Sequence, residues 1–274
     1  MATETTTGTV TVIAEIGENH AGDMELARNM IARAAQAGAD IVKFQSYRGQ
    51  DVDEDDPERE WFGQVELSED DHRALMEAAR EHGVGFLSAP FTVERAELLA
   101  EGLGLDTVKV ASSEMLNFKL LDYLNGRVGT VYISTGLATL DEIREAVSHL
   151  DQVDEVVIMH CVTQYPTADE DANLRAISAL VEAFPEHRIG YSDHTLGSTA
   201  ALLAVALGAT AIEKHFTVDR SLPGTDHELS LLPEEMAAMV RGVRQAEAML
   251  GSGGKQPTAG ELEIREFVRT RFPK

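Results

Sequence analysis

Short β-branched runs alternate with alanine- and leucine-rich amphipathic stretches along most of the chain. The strand candidates are VTVIAEIG (Val10–Gly17), DIVKFQ (Asp40–Gln45), GFLSAP (Gly85–Pro90), TVKVAS (Thr107–Ser112), TVYIST (Thr130–Thr135), VVIMHC (Val156–Cys161), RIGYSD (Arg188–Asp193) and AIEKHF (Ala211–Phe216). Between them lie MELARNMIARAAQAG, SEDDHRALMEAAREHG and LDEIREAVSHL, several opening on Ser, Thr or Asp and closing on Gly as capped helices do. STAALLAVALGA is more apolar and leaves two readings, a buried helix or an oligomer contact. Eight strands with helices between them, and LPEEMAAMVRGVRQAEAML after the last, predict a parallel eight-stranded (β/α)8 TIM barrel. The rival open doubly wound sheet calls for a G-x-G-x-x-G loop after the first strand, where this chain has AEIGENHAG. The barrel is expected over residues 1–250, with a linker and short basic tail over 251–274.

Composition narrows the class. Of the 274 residues, 43% are hydrophobic and 26% charged, as in a globular chain, and no apolar run is long enough for a membrane span. The formal net charge of −24 argues against nucleic acid or an anionic membrane as a general partner, and requires a locally positive pocket for any anionic substrate. Cys161 is the only cysteine, so no intrachain disulfide forms, and a cytoplasmic location is expected. The acidic run DVDEDDPERE lacks the glycine-punctuated spacing of a calcium loop and reads as solvated.

In such a barrel the C-terminal strand ends form the active site. Read in order, they carry Glu15; Lys43 and Gln45; Ser88; Lys109, Ser112 and Glu114; Ser134; His160; Tyr165; Ser192, Asp193 and His194; Glu213 and His215. Lys43 and Lys109 are two of only six lysines. With the hydroxyls of Ser112, Ser134 and Ser192 they make a cradle for phosphate or carboxylate. The plain alternative is that each lysine pairs with Glu15, Glu114 or Glu213 to satisfy the barrel interior. His194 and His215 end strands expected to be neighbours, about 4.8 Å apart. Two imidazoles so placed can share a divalent metal and leave positions open; the alternative is hydrogen-bonded structural histidine. His160, between Met159 and Cys161, reads as core or as support for the site. Neither a G-x-S-x-G elbow, an H-E-x-x-H helix nor a Walker loop is present.

Together these stretches resemble the N-acetylneuraminate (sialic acid) synthase family and its pseudaminic and legionaminic relatives. The matching segments are AEIGENHAGD, AGADIVKFQ, GFLSAPF, VKVASSEMLNFKLLDYL, ISTGLATLDEI, MHCVTQYPT, IGYSDHTLG and GATAIEKHFTVDRSLPGTDHELSL, in family order. The resemblance implies metal-dependent condensation of phosphoenolpyruvate with a 2-acetamido sugar aldehyde such as N-acetylmannosamine, giving a nonulosonic 2-keto-3-deoxy acid and phosphate. It implies that Lys43, Lys109, Ser112, Ser134 and Ser192 hold phosphoenolpyruvate, and that His194 and His215 bind the metal: manganese first, magnesium or cobalt as alternatives. Glu15, Glu114 and Asp226 take catalytic positions, and Gln45 and Tyr165 contact the sugar. Two residues depart from the family pattern: Ala89 replaces a frequent hydroxyl residue, and Thr163 stands where many members carry an amide. The resemblance covers the catalytic barrel only. The family's C-terminal antifreeze-like domain has no counterpart before Lys274, so a separate chain carrying it, or a homo-oligomer, stays among the expected partners. Two other readings are carried forward: a Schiff-base aldolase acting through Lys43 or Lys109, and a barrel that binds ligand without turnover.

Overall fold

The computed structural model describes residues 9–272. Eight strands, β1 (Thr11–Gly17), β2 (Ile41–Ser46), β3 (Gly85–Pro90), β4 (Thr107–Val110), β5 (Thr130–Ser134), β6 (Glu155–Cys161), β7 (Arg188–Asp193) and β8 (Ala211–His215), form one parallel sheet in the order β3-β2-β1-β8-β7-β6-β5-β4. No ladder joins β3 to β4, which pack side by side and bring the sheet round to a nearly closed barrel. The helices are α1 (Met24–Ala37), α2 (Arg59–Val65), α3 (Glu69–Glu81), α4 (Val93–Glu97), α5 (Phe118–Leu124), α6 (Leu140–Ser148), α7 (Arg175–Ala183), α8 (Thr199–Ala206), α9 (Pro233–Leu250) and α10 (Ala259–Thr270). The (β/α)8 architecture is the one the alternation predicts. Strand ends differ from expectation by at most two residues; β4 stops early because Ser112–Glu114 turns into a 3-10 helix.

Helix starts follow local chemistry. Asp23 caps α1 by accepting from the backbone N–H groups of Glu25 and Leu26. Ser68 with Asp71, and Thr139 with Glu142, form capping boxes at α3 and α6. The segment STAALLAVALGA becomes α8, a helix whose Ala200, Ala201, Ala204 and Val205 are buried and whose Leu203 is exposed. Helix α10 has no buried residue. No helix among the described residues is long and apolar enough to cross a membrane.

The two-residue period of the strands divides the core in two. Val12, Ala14 and Ile16 of β1, Val42 and Phe44 of β2, and Val131 and Ile133 of β5 face outward into the layer beneath the helices. Ile13, Leu87, Tyr132, Val157, Met159 and Ala211 face inward and plug the lumen. Gly190 belongs to that plug, since a Cβ there would stand 2.3 Å from Met159 Sδ. One inward position further along, the same strands turn polar: Ile13 is followed by Glu15, Tyr132 by Ser134 and Ala211 by Glu213.

Candidate active site

Above the plug opens a cavity of about 430 Å³, lined among others by Glu15, Lys43, Gln45, Lys109, Ser112, Ser134, Tyr165, Ser192, His194, His215 and Asp226. Every residue given a role at the site except Glu114 is thus drawn together, while the further strand-end candidates Ser88, His160 and Asp193 do not line the cavity. Glu114 lies in the 3-10 turn after β4, does not line the cavity, and accepts from Asn117 Nδ2 at 2.9 Å. A larger depression, about 680 Å³, lies along the far side of α2 between Arg48, Asp56, Arg59, Glu60 and Glu66. Its charged side chains are exposed or half-exposed, so it does not hold the buried titratable groups that mark a reactive site.

The cavity floor is an ionic cluster. Lys43 Nζ lies 3.2 Å from Glu15 Oε1 and 3.1 Å from Glu213 Oε1, while Lys109 Nζ lies 3.7 Å from Glu213 and donates to Ser134 Oγ at 2.6 Å. Ser192 Oγ donates to Glu213 Oε1 at 3.0 Å. Pairing of the lysines with Glu15 and Glu213 is the alternative raised by the sequence, and it holds; Glu114 takes no part. Burial, reinforced by Glu213 and opposed by Lys43, pushes Glu15 up to about 7. For Glu213 burial acts the same way but is outweighed by Lys109 and Lys43, which bring it down to about 2. Burial lowers Lys109, whereas at Lys43 the two carboxylates overcome burial and hold the ammonium form. With Glu15 protonated and both lysines in the ammonium form, the floor carries one net positive charge.

Backbone geometry supports this floor. Gly17 sits at φ +52° where the β1–β2 register shifts, and a Cβ there would stand 3.0 Å from Glu15 Oε1. The Gly136 N–H donates to Ser112 Oγ at 3.1 Å, and a Cβ on Gly136 would fall 2.0 Å from Thr163 Oγ1. That Thr163 hydroxyl is buried without a partner, as are Glu15 Oε2, Glu213 Oε2 and His215 Nδ1. Unpaired buried polar atoms around a cavity are what a polar ligand completes.

On the opposite wall the rings of His194 and His215 lie 5.3 Å apart by centroid, on the adjacent ends of β7 and β8. His194 Nδ1 donates to Val162 O at 2.7 Å, which leaves Nε2 as its free donor of a lone pair. Burial, then the charge His194 carries when protonated and that of Lys43, drives His215 well below the ordinary range, so its imidazole is neutral. Its Nδ1 stands 3.3 Å from Asp226 Oδ2, and burial followed by Glu18 raises Asp226 to about 6. Tyr165 lies over His194 at 4.1 Å and edge-on to His215 at 5.9 Å. Among the described residues no group of three or more His, Cys, Asp and Glu comes together to enclose an ion. The pair fits a divalent ion as a partial donor set, with further positions left to water and ligand.

Some lining residues escape sequence reasoning. Glu213 enters it as a strand-end residue and ion partner, without a role of its own. Cys161 lines the cavity because it is the next inward position after Met159. Glu18, Glu58, Phe62, Phe91 and Thr225 arrive on loops and on α2, where no period points at the lumen. The run DVDEDDPERE is largely exposed, yet its Glu58 reaches the cavity. His160 lies outside the lumen, bonded to Ala172 O at 3.0 Å and stacked on Tyr191.

A model of the NeuB family matches residues 30–255. The chain belongs to the NeuB family. It is 39% identical over 279 residues to the N,N'-diacetyllegionaminic acid synthase of Legionella pneumophila, covering 94% of this chain and 78% of that one. To the N-acetylneuraminate-9-phosphate synthase of Mus musculus it is 34% identical over 270 residues, covering 93% and 75%. The crystal structure of N-acetylneuraminic acid (sialic acid) synthetase from Leptospira borgpetersenii in complex with citrate superposes with a TM-score of 0.88 at 37% identity, over 96% of this chain and 92% of that one. These relatives are synthases, and this NeuB chain is an enzyme of that kind.

Proposed function

We propose that this NeuB enzyme condenses phosphoenolpyruvate with a 2-acetamido aldose to give a nonulosonic 2-keto-3-deoxy acid and inorganic phosphate, with a divalent ion, manganese foremost, at His194 and His215. The observation that carries the reading is the pair of buried lysines, Lys43 and Lys109, meeting at Glu213 beneath Ser134 and Ser192 in a chain of net charge −24. That floor suits a small, highly charged anion, and the unpartnered oxygens of Glu15 and Glu213 beside it suit a ligand that also carries donors.

In this reading Lys43, Lys109, Ser112, Ser134 and Ser192 hold the phosphate and carboxylate of phosphoenolpyruvate, with its methylene carbon turned toward the aldehyde. Gln45 and Tyr165 hold the sugar. The enol is a weak nucleophile, so fixing the two carbons at bonding approach supplies much of the rate. As the carbon–carbon bond forms and the aldehyde π bond breaks, protonated Glu15 gives its proton to the aldehyde oxygen, and positive charge develops on the enol's oxygen-bearing carbon, where Glu213 and the now ionised Glu15 stabilise it. Water then adds to that carbon and the carbon–oxygen bond to phosphate breaks. Glu15, placed by burial to exchange a proton near neutrality, takes the water's proton. Asp226 orients His215. A metal between the imidazoles would supply Lewis acidity toward the aldehyde oxygen. Glu114, outside the cavity, has no step assigned.

The test is formation of inorganic phosphate and keto acid from phosphoenolpyruvate by the purified chain, manganese-loaded or chelator-treated, across 2-acetamido and unmodified aldoses. Release that requires both metal and aldose supports the reading; none with any acceptor overturns it. A Schiff-base aldolase needs a neutral lysine, and Lys43 is held charged, so only Lys109 favours that reading. Borohydride trapping with a keto acid, insensitive to chelator, would establish it.

A further inference from the structure

The cavity has two walls of opposite sign. Beyond the lysine floor, the loops after β1 and β8 and the start of α2 bring Glu18, Asp226, Thr225, Glu58 and Phe62 to its outer side. Among the described residues the only lysine or arginine side chains lining the cavity are Lys43 and Lys109, both engaged below by Glu15, Glu213 and Ser134. Glu18 is 6% exposed and accepts from Thr225 Oγ1 at 2.7 Å. Glu58, at the N-terminal edge of α2, is exposed at the mouth. His215 Nδ1, buried and unpartnered, faces Asp226 on the same side. No arginine among the described residues lines this wall. Arg48 is held by Asp51 at 2.7 and 2.8 Å, and with Arg59 it lines the separate depression beyond α2, among Asp56, Glu60 and Glu66.

Carboxylates accept from sugar hydroxyls and repel phosphate. The distinction bears directly on the acceptor. Three carbons of a nine-carbon product come from phosphoenolpyruvate, so a phosphate on carbon 9, as in the product named for the mouse relative, sits on the sixth carbon of the acceptor, at the end remote from the aldehyde. Resting on the synthase reading above, we infer that Glu18 and Glu58 are specificity determinants that admit an unphosphorylated aldose and exclude its terminally phosphorylated form. Their carboxylates receive the hydroxyls of the acceptor's far end, and the protein's own lysines, at the opposite floor, serve one anionic substrate.

The experiment compares kcat/KM for a 2-acetamido-2-deoxyhexose and for its 6-phosphate, followed as keto acid formed, with manganese and saturating phosphoenolpyruvate. The expected preference for the unphosphorylated sugar is about 100-fold or more. Glu18→Gln and Glu58→Gln each keep the side chain's shape and remove its charge; each is expected to narrow that ratio about tenfold by raising use of the phosphate ester. Equal or better use of the ester by the unaltered enzyme overturns the inference, and so does an unchanged ratio in both variants. If neither sugar yields product, the synthase reading itself falls. Equilibrium binding of the two sugars then decides the charge claim alone: equal affinity overturns it, and ester binding at least tenfold weaker supports it.

Discussion

Two sets of charged side chains are buried at the top of this barrel, one residue apart on β8, and they are satisfied very differently. The inward set, Glu15, Lys43, Lys109 and Glu213, opens on a cavity and leaves Glu15 Oε2 and Glu213 Oε2 without partners. The outward pair, Lys214 and Asp193, is wholly excluded from solvent and opens on no cavity; Asp193 Oδ2, which has no hydrogen bond, is met by Lys214 Nζ as an ion pair at 3.0 Å. Asp193 Oδ1 accepts further from Tyr191 Oη, Thr195 N and Thr195 Oγ1, and Lys214 Nζ donates to Thr195 O. Buried charge alone therefore does not mark function here. Charge left incomplete beside open volume does, because only there is a ligand needed to finish the hydrogen bonding.

The sharpest way to break this contrast is to remove one cation from each set. Lys43→Met is expected to lower kcat/KM for phosphoenolpyruvate about 10³-fold, the size of losing a main anion contact, while the far-ultraviolet circular dichroism stays that of the folded barrel. Retention of activity within tenfold would sink the anion-floor reading. In the outward pair the expected loss is stability. Asp193→Ala leaves Lys214 buried and unpaired and should cost about 3–5 kcal/mol in denaturant unfolding, whereas Asp193→Leu with Lys214→Met should recover most of it. A single variant as stable as the parent would show the pair to be dispensable.

The same contrast explains what was legible in the sequence. Period-two alternation located the strands, and with them the inward positions of Glu15, Lys43, Lys109, Ser134, Ser192 and Glu213, since side-chain direction follows from register once a barrel is assumed. Lys214 stands at a strand end like Lys43, but one position out of phase, so it faces the helices; residue type alone does not separate them. Glu114 failed as a lining residue because the chain leaves the strand at Ala111 and turns, so spacing along a strand no longer sets where its side chain points. Glu18, Glu58, Phe62 and Phe91 were invisible for the related reason that loops and the short helix α2 reach the cavity through tertiary packing, which no local pattern records.

A smaller effect separates a cluster that exchanges a proton from one that does not. Glu15 is pushed up to about 7, so as pH rises through that value the floor loses its net positive charge. If the protonated form alone binds the anion, phosphoenolpyruvate affinity falls about tenfold between pH 6 and pH 8 from this group. Glu15→Gln keeps the side chain neutral at every pH, and comparison of the two proteins cancels the ligand's own titration. Parallel affinity profiles for enzyme and variant would mean that Glu15 holds no proton in this range.

The smallest effect tests burial without a charged cavity. His72, behind β3, bonds Ser68 O at 2.9 Å and Ser88 Oγ at 3.3 Å, and burial lowers it to about 4. The folded state thus keeps this imidazole neutral, while the unfolded chain takes up a proton near pH 6.5. Its stabilising contribution is complete above the unfolded value and is lost as pH falls toward about 4, the reverse of Glu15, whose raised carboxyl pKa favours the folded state on the acid side. Between pH 7.5 and pH 5.5 the loss from His72 is about 1 kcal/mol. In His72→Asn that part of the slope should vanish, so the stability gap between parent and variant should shrink by that amount as pH falls. A gap that stays constant from pH 7.5 to pH 5.5 would show that His72 takes up its proton equally in both states, and that burial behind the sheet does not perturb it.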